Sequence, residues 1–110
     1  MGVMGHHTTI DQPDVAAIEL ADVLHALSDP VRLDIVRRLD AAPGAIACGA
    51  FGAPVSKSTL SHHFRVLREA GVTDTRPVGT QRMITLRRAD LDARFPGLLD
   101  AVLRAQQAAA

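Results

Sequence analysis

The chain is poor in aromatic residues and in cysteine, and both shortages narrow what it can be. It contains no tryptophan, no tyrosine and three phenylalanines. A core must therefore be built mainly from leucine, valine, isoleucine and alanine, which favours a small helical domain. Because Cys48 is the only cysteine, an internal disulfide is excluded.

Long apolar runs are also missing. A membrane-spanning helix needs about 20 consecutive apolar residues, whereas the longest uncharged interior stretch, residues 41–56, is shorter and contains two prolines and three glycines. Residues 1–10 lack the basic start and apolar run of a secretory signal. We therefore expect a cytoplasmic protein that does not contact a membrane.

The length and composition fit one globular domain. The 110 residues are 47% hydrophobic and 22% charged, which suits a single packed core. We predict a domain over residues 11–106, a disordered segment over residues 1–10 and a frayed tail over residues 107–110.

The net charge is zero, but the charges are separated along the chain. Residues 1–30 contain five acids and no lysine or arginine, a net of −5, whereas residues 54–88 contain seven basic residues against two acids, a net of +5. A neutral protein needs such a division if one face meets a polyanion. Chance clustering on a solvated surface is the alternative.

Apolar spacing and capping residues predict three helices in the first half. Asp11 and the following proline indicate a helix over 13–27, whose apolar positions cover more than one stripe. A cap at Ser28 or Asp29 starts a second helix that ends near residue 39, with Arg32 and other charged residues largely outside. Residues 45–53 suit a short third helix, which two glycines weaken.

The next helix has the clearest signals. Ser56 is a strong cap, no helix breaker follows, and Gly71 is the preferred stop. The period then changes to 2 over residues 72–76 and 81–86, which predicts a two-stranded hairpin with a loop between. A helical turn over 89–94 and a last helix over 96–105 complete the prediction.

This order of elements predicts a mainly α fold with a small β-hairpin, the outline of a dimeric winged helix-turn-helix protein, whose second helix enters the DNA major groove. Helix 56–71 has Phe64 and Leu67 on one face and hydroxyl, imidazole and guanidinium groups on the other, and such groups read base edges. The helix start and the hairpin suit phosphates or a minor groove. The predicted DNA-binding residues are Ser56, Lys57, Ser58, Thr59, Ser61, His62, Arg65, Arg68, Arg76, Thr80, Gln81 and Arg82.

Other reactive side chains indicate structural roles. His63 flanks the apolar face and is expected to make a structural hydrogen bond, and His25 is expected to be packed or interfacial. Cys48 is interpreted first as a small buried hydrophobe, with a redox-sensitive thiol and a pair with its symmetry mate as alternatives. No catalytic constellation or phosphate loop is recognisable, so we predict neither an enzyme nor a cofactor.

Two motifs resemble those of a known family. Residues 26–33, Ala-Leu-Ser-Asp-Pro-Val-Arg-Leu, resemble the opening of the second helix in the ArsR-type (arsenical-resistance repressor) family of bacterial winged-helix regulators. Residues 56–71 are similar to that family's recognition helix, and Gly79, Thr80 and Arg82 to its wing. The resemblance implies a homodimeric operator-binding regulator, usually a repressor released by an inducer.

The family's metal inducers do not suit this sequence. A site resembling the family's Cys-x-Cys box would need a second cysteine near Cys48, and the last helix contains Asp100 but no histidine. We therefore expect no bound metal and an unidentified small-molecule effector. Surplus apolar positions predict a homodimer interface formed by Val15, Ile18, Leu98, Leu99, Val102 and Leu103.

A two-fold dimer would place two recognition helices about 34 Å apart, on an inverted-repeat operator in double-stranded DNA. Two other hypotheses use the same fold: a protein-interaction module, and a non-specific architectural DNA-binding protein. The hydroxyl-rich, basic helix favours DNA over protein, and zero net charge argues against the architectural protein.

Overall fold

A computed structural model describes residues 11–52 and 55–109 of the chain, so the predictions for residues 1–10 and for Ala110 fall outside the described residues. Within them the fold contains five α-helices and one three-stranded antiparallel sheet. The helices are α1 (Leu20–Ala26), α2 (Pro30–Ala41), α3 (Lys57–Glu69), α4 (Arg88–Arg94) and α5 (Leu98–Ala109). The strands are β1 (Ile46–Ala47), β2 (Thr73–Val78) and β3 (Gln81–Leu86).

The two central helices begin at predicted caps. Asp29 Oδ1 accepts hydrogen bonds from the backbone N–H groups of Val31 at 2.8 Å and Arg32 at 3.2 Å. Ser56 Oγ accepts one from the N–H of Thr59 at 3.2 Å. Each cap satisfies N–H groups that the first turn of a helix leaves unbonded, and it fixes the residue at which the helix starts.

The predicted hairpin is present, with its second strand at the predicted bounds and its first strand extended to Val78. β2 pairs with β3 from Thr73 opposite Leu86 to Val78 opposite Gln81, and residues 79–80 form the turn. The strand order β1-β3-β2 puts β2 at an edge of the sheet. Pro77, which was predicted to lie in the loop, is therefore accommodated within β2, because an edge position tolerates a residue without an N–H donor.

The predicted helix over residues 45–53 is wrong. Ile46 and Ala47 instead pair with Ile84 and Met83 as β1, and a 3₁₀ turn follows over Cys48–Ala50. The glycines disfavour a helix here. Pairing with β3 satisfies backbone groups of Ile46 and Ala47 instead.

The first predicted helix is interrupted. A 3₁₀ turn spans Val15–Ala17, the chain is extended at Ile18 and Glu19, and α1 starts only at Leu20. The interruption lets Ile18, which is 1% exposed, enter the core against Gly71. Gly71 has φ +86°, and a Cβ there would lie 2.6 Å from Ile18 Cγ1, so this contact requires glycine.

The core is aliphatic, as the composition predicts, and the C-terminal helices complete it. Leu91 of α4 and Leu99 of α5 are buried together with residues of α1, α2, α3 and the sheet. The last helix continues to Ala109, beyond its predicted end at residue 105. Arg88 joins three elements, since its guanidinium binds Asp40 of α2 at 2.9 Å, Asp92 of α4 at 3.3 Å and Asp100 of α5.

Candidate nucleic-acid interface

The outer face of α3 is the central feature of the candidate interface. Its residues are all exposed to solvent: Ser58, Thr59, Ser61, His62 and Arg65. The opposite face carries Phe64, 8% exposed, and Leu67, 0% exposed. The predicted division of this helix into an apolar and a polar face is therefore present. α3 rests on the core and directs short hydrogen-bonding side chains outward.

The start of α3 adds a cation and a compact set of hydroxyl groups. The Ser56 hydroxyl lies 2.9 Å from Thr59 Oγ1 and 3.3 Å from Ser58 Oγ. Lys57 beside them is exposed. A helix N-terminus carries free N–H groups and a partial positive charge, both of which favour a phosphate.

The hairpin forms the second part of the interface. Its exposed tip contains Arg76, Thr80, Gln81 and Arg82. Arg76 Nε lies 3.2 Å from Asp74 Oδ2 while its side chain stays 77% exposed, and such a surface pair is weak. The tip therefore presents two guanidinium groups to solvent.

Arg68 differs from the other predicted DNA-binding residues. It is only half-exposed, and it lies on the side of α3 that faces the hairpin tip. Its Nε atom is buried and has no hydrogen-bond partner among the residues that the structure describes. Arg68 is thus not brought together with Arg65 on the outer face.

Two arginines of the basic segment, residues 54–88, lie away from α3 and the hairpin tip. Arg87 Nε binds Asp90 at 3.0 Å, and Arg87 Nη1 donates to the carbonyl of Pro13 at 2.6 Å. Arg88 binds the three aspartates described above. The cations of this segment that remain on α3 and the hairpin are Lys57, Arg65, Arg68, Arg76 and Arg82.

A buried polar cluster supports α3 from below. Arg32 is 7% exposed, which corrects the prediction that it lies outside. Its Nε donates to the carbonyl of Ala26 at 2.7 Å, and its Nη1 donates to His63 Nδ1 at 3.0 Å. The predicted structural hydrogen bond of His63 is therefore confirmed. Because a guanidinium can only donate hydrogen bonds, His63 Nδ1 is the acceptor of this bond.

Asp29 completes this cluster. Its Oδ1 lies 4.0 Å from His63 Nδ1. Burial by itself raises the pKa of the Asp29 carboxyl, but the N–H groups of Arg32 and Val31 and the nearby charges lower that pKa overall. The cap of α2 is thus a stable carboxylate, and it ties the start of α2 to the inner face of α3.

Sequence reasoning missed Arg32 because helical periodicity alone placed it outside. An available signal was its distance of three residues from the cap at Asp29, which turns its side chain back towards the end of α1. The guanidinium is satisfied there by main-chain carbonyls, as a buried cation requires.

Cys48 and His25 differ in exposure. Cys48 is half-buried. Burial raises the pKa of its thiol, although the charges of Arg82 and Arg68 act in the opposite direction. The thiol form therefore predominates near neutral pH. His25, expected to be packed or interfacial, is exposed on the single chain.

The residues predicted to form a dimer interface are divided by the structure. Ile18 and Leu99 are 1% and 2% exposed inside the subunit's own core, so their side chains are not surface groups. Leu98, Val102 and Leu103 are half-buried, and Val15 is exposed. The predicted set did not include Leu20 and Leu24, which are 46% and 47% exposed. They lie one turn apart and cover one side of α1.

The residues that the structure describes lack two features. No three histidine, cysteine, aspartate or glutamate side chains in this part of the chain are grouped so that they could hold a metal ion. No helix formed by these residues is long and apolar enough to cross a membrane.

Comparisons with known proteins match this architecture. A family model described as a helix-turn-helix domain matches residues 27–76. YceK of Bacillus subtilis (strain 168), described as an uncharacterized HTH-type transcriptional regulator, is 38% identical over 82 residues, which cover 73% of this chain and 82% of YceK.

Two solved structures are similar in fold and sequence. The transcriptional repressor BigR from Xylella fastidiosa has a TM-score of 0.54 and 32% identity, over 69% of this chain and 85% of BigR. An ArsR-like transcriptional regulator from Rhodococcus sp. RHA1 has a TM-score of 0.58 and 28% identity, over 82% of this chain and 87% of that protein.

Proposed function

The chain belongs to the ArsR-type family of winged helix-turn-helix transcription regulators, and we propose that it acts in the cytoplasm as a homodimeric repressor of an inverted-repeat operator. The exposed polar face of α3 carries this proposal. It sits beside a hairpin, hereafter the wing (residues 73–86), whose tip exposes two guanidinium groups. Together they form one cationic surface of suitable shape for duplex DNA.

The contacts divide into two kinds. His62, Arg65 and the hydroxyls of the outer face are placed to read base edges, because short side chains allow the helix to approach the major groove closely. Lys57 at the helix start and Arg82 at the wing are placed to bind phosphates, which position the protein without reading sequence. Removal of the first kind should relax sequence preference, and removal of the second should weaken all duplexes.

We propose a dimer interface formed by α1 and α5 and their symmetry mates. Leu20 and Leu24 expose about half of their surface on α1. Half-buried Leu98, Val102 and Leu103 on α5 are next to the core. An isologous contact would bury these groups and place both copies of α3 on one side of the dimer. Half-sites about 10 base pairs apart, or a multiple of that, are the expected spacing.

Selection of bound fragments from random duplexes, followed by gel-shift titration, tests the function directly. We expect an enriched inverted repeat and a steep negative slope of log affinity against log salt concentration. His62→Ala or Arg65→Ala should reduce the free energy of base discrimination at one operator position by about 1–3 kcal/mol, whereas Lys57→Ala should weaken binding to all sequences similarly. Equal affinity for selected and random duplexes would contradict the repressor and favour an architectural protein.

Sedimentation tests the assembly. We expect a dimer of the 11.7 kDa chain at micromolar concentration, and Leu20→Glu with Leu24→Glu should dissociate it, since charged residues are unfavourable in an apolar interface. A wild-type monomer that binds one asymmetric half-site would contradict the two-fold arrangement.

A further inference from the structure

A cleft of about 880 Å³ opens between α3, the wing and the turn that follows β1. Leu60 and Phe64 of α3 contribute apolar surface to it, as does the half-buried Cys48. Small-molecule sites commonly have volumes of about 300–1,000 Å³ and combine apolar walls with a few polar groups. The cleft is therefore large enough for a small organic molecule.

The charged groups of the cleft all have one sign. Lys57, Arg68 and Arg82 line it, and none of its described lining residues is an aspartate or a glutamate. Three cations around one concave surface repel one another and raise the local concentration of anions. The electrostatics of the cleft favour a negatively charged occupant.

Two buried polar atoms in the lining lack a partner among the residues that the structure describes. They are Arg68 Nε and Thr75 Oγ1, and Thr75 is only 3% exposed. Buried polar groups are nearly always hydrogen-bonded. A guanidinium can only donate, and a threonine hydroxyl can donate as well. Both residues of the lining could therefore donate to an acceptor-only group such as a carboxylate.

We propose that this cleft binds a small organic monoanion, a carboxylate attached to an aromatic or aliphatic body, and that its binding releases the protein from DNA. The regulatory half of this proposal rests on the proposed DNA-binding function. Arg68 and Thr75 hold the carboxylate, Arg82 neutralises it, and Leu60 and Phe64 contact the apolar body.

Competition with DNA follows from the position of the cleft. Lys57 and Arg82 line it and also belong to the predicted DNA-binding surface. A bound carboxylate offsets the positive charge that DNA phosphates need, and its body lies between α3 and the wing. Cys48 serves as a small apolar wall, since its thiol is protonated and a thiolate is the reactive form.

Ligand binding is tested on the full chain without DNA. Ligand-observed NMR titrations would use benzoate, phenylacetate, 4-phenylbutyrate and octanoate, each compared with its primary amide. We expect at least one acid to bind about tenfold or more tightly than its amide, as a charge-assisted bond implies. Arg68→Gln and Arg82→Gln should each remove about tenfold in affinity for the acid.

Arg65→Gln is the matched control, because Arg65 has the same charge on the same helix but does not line the cleft. It should leave acid binding unchanged within about twofold, in keeping with the screening of exposed charges. Thr75→Val keeps the shape of the side chain and should weaken the acid more than the amide. Circular dichroism establishes that each variant is folded.

DNA release is measured separately with the selected operator. The tightest acid should lower operator affinity of the wild type at constant ionic strength, and its amide should not. Equal binding of acids and amides, or an equal loss in Arg65→Gln, overturns the cleft assignment. Inorganic phosphate is titrated in the same way. If it binds as tightly as the tightest acid and is weakened equally by Arg68→Gln and Arg82→Gln, the proposal of an organic ligand is wrong and the cleft is a subsite for a DNA phosphate.

The two proposals fail in different ways. Acid binding with the expected variants, but no preference for any duplex, supports the cleft and contradicts the DNA-binding function. Operator binding without any preference for acids over amides supports the function and overturns the cleft assignment.

Discussion

The two faces of α3 differ most clearly at two neighbouring histidines. His62 is exposed, whereas His63 is 8% exposed and accepts a hydrogen bond from Arg32. The centroids of their rings are 5.7 Å apart, yet His62 belongs to the candidate interface and His63 to the interior. One residue of helical rotation, about 100°, is enough to separate these roles. Substitutions on the two faces should therefore separate stability from DNA recognition.

Leu67→Ala on the inner face should have the largest effect on stability. Leu67 is 0% exposed, so truncation removes apolar contacts and leaves a cavity. We expect the free energy of unfolding to fall by about 2–5 kcal/mol, measured by urea denaturation. A loss below about 0.5 kcal/mol, the range of ordinary surface substitutions, would show that the inner face is not part of a tightly packed core.

His63→Ala should have the next largest effect. Removal of the imidazole leaves Arg32 Nη1 without its acceptor, and a buried unpaired donor costs about 1–3 kcal/mol. His62→Ala is the matched control on the adjacent exposed position and should change the free energy of unfolding by less than about 0.5 kcal/mol. Equal losses of unfolding free energy in His63→Ala and His62→Ala would contradict the assignment of these residues to an inner and an outer face.

Asp29→Ala tests the residue that joins α2 to the inner face. Loss of its two cap hydrogen bonds should cost about 1 kcal/mol at neutral pH. Folding lowers the pKa of Asp29 from its ordinary value of 3.8. The ionised carboxylate therefore stabilises the fold at pH values above 3.8, and this stabilisation is lost as the pH falls below 3.8.

The difference between Asp29→Ala and wild type should accordingly shrink in acid. Denaturation at several pH values measures it, with Asp34→Ala as control, because the Asp34 side chain is 46% exposed. Asp34 forms surface ion pairs with Arg37 and Arg38, which contribute about 0–1 kcal/mol. If the difference in the free energy of unfolding between wild type and Asp29→Ala grew as the pH fell, the pKa of Asp29 would not be lowered by folding.

Arg65→Ala on the outer face should have the smallest effect on stability. Its side chain is exposed, so we expect a change within about 0.5 kcal/mol in the free energy of unfolding. Operator preference should nevertheless fall by about 1–3 kcal/mol if Arg65 reads a base. Unchanged preference in both Arg65→Ala and His62→Ala would mean that another surface reads the operator.

The sequence predicted α3 well because all its determinants are local. Ser56 supplies the cap, Gly71 the stop, and the residues between them contain no helix breaker and repeat with the helical period. The exposed face could therefore be identified residue by residue. The hairpin was also predictable, since a period of 2 and a glycine turn are visible within a short window.

The errors fall where distant contacts decide the local structure. Ile18 interrupts the first predicted helix to pack against Gly71, and β1 forms because β3 supplies its pairing partner. Arg32 is buried by carbonyls from the end of α1. The cleft is lined by Cys48, Leu60 and Arg82, which come from three separate parts of the chain. No short window of sequence contains both partners of the contacts made by Ile18, by β1 and across the cleft. Arg32 is the exception, because it lies only six residues from Ala26.

The burial of Ile18, Leu91 and Leu99 has a consequence for how the protein can be divided. The stretch from Pro30 to Leu86 contains both α3 and the wing, but these three core residues lie outside it. A fragment trimmed to that stretch would expose the apolar surfaces that they cover. The recognition motif is thus shorter than the autonomous folding unit, and grafting it into another protein would require the N-terminal segment and both C-terminal helices as well.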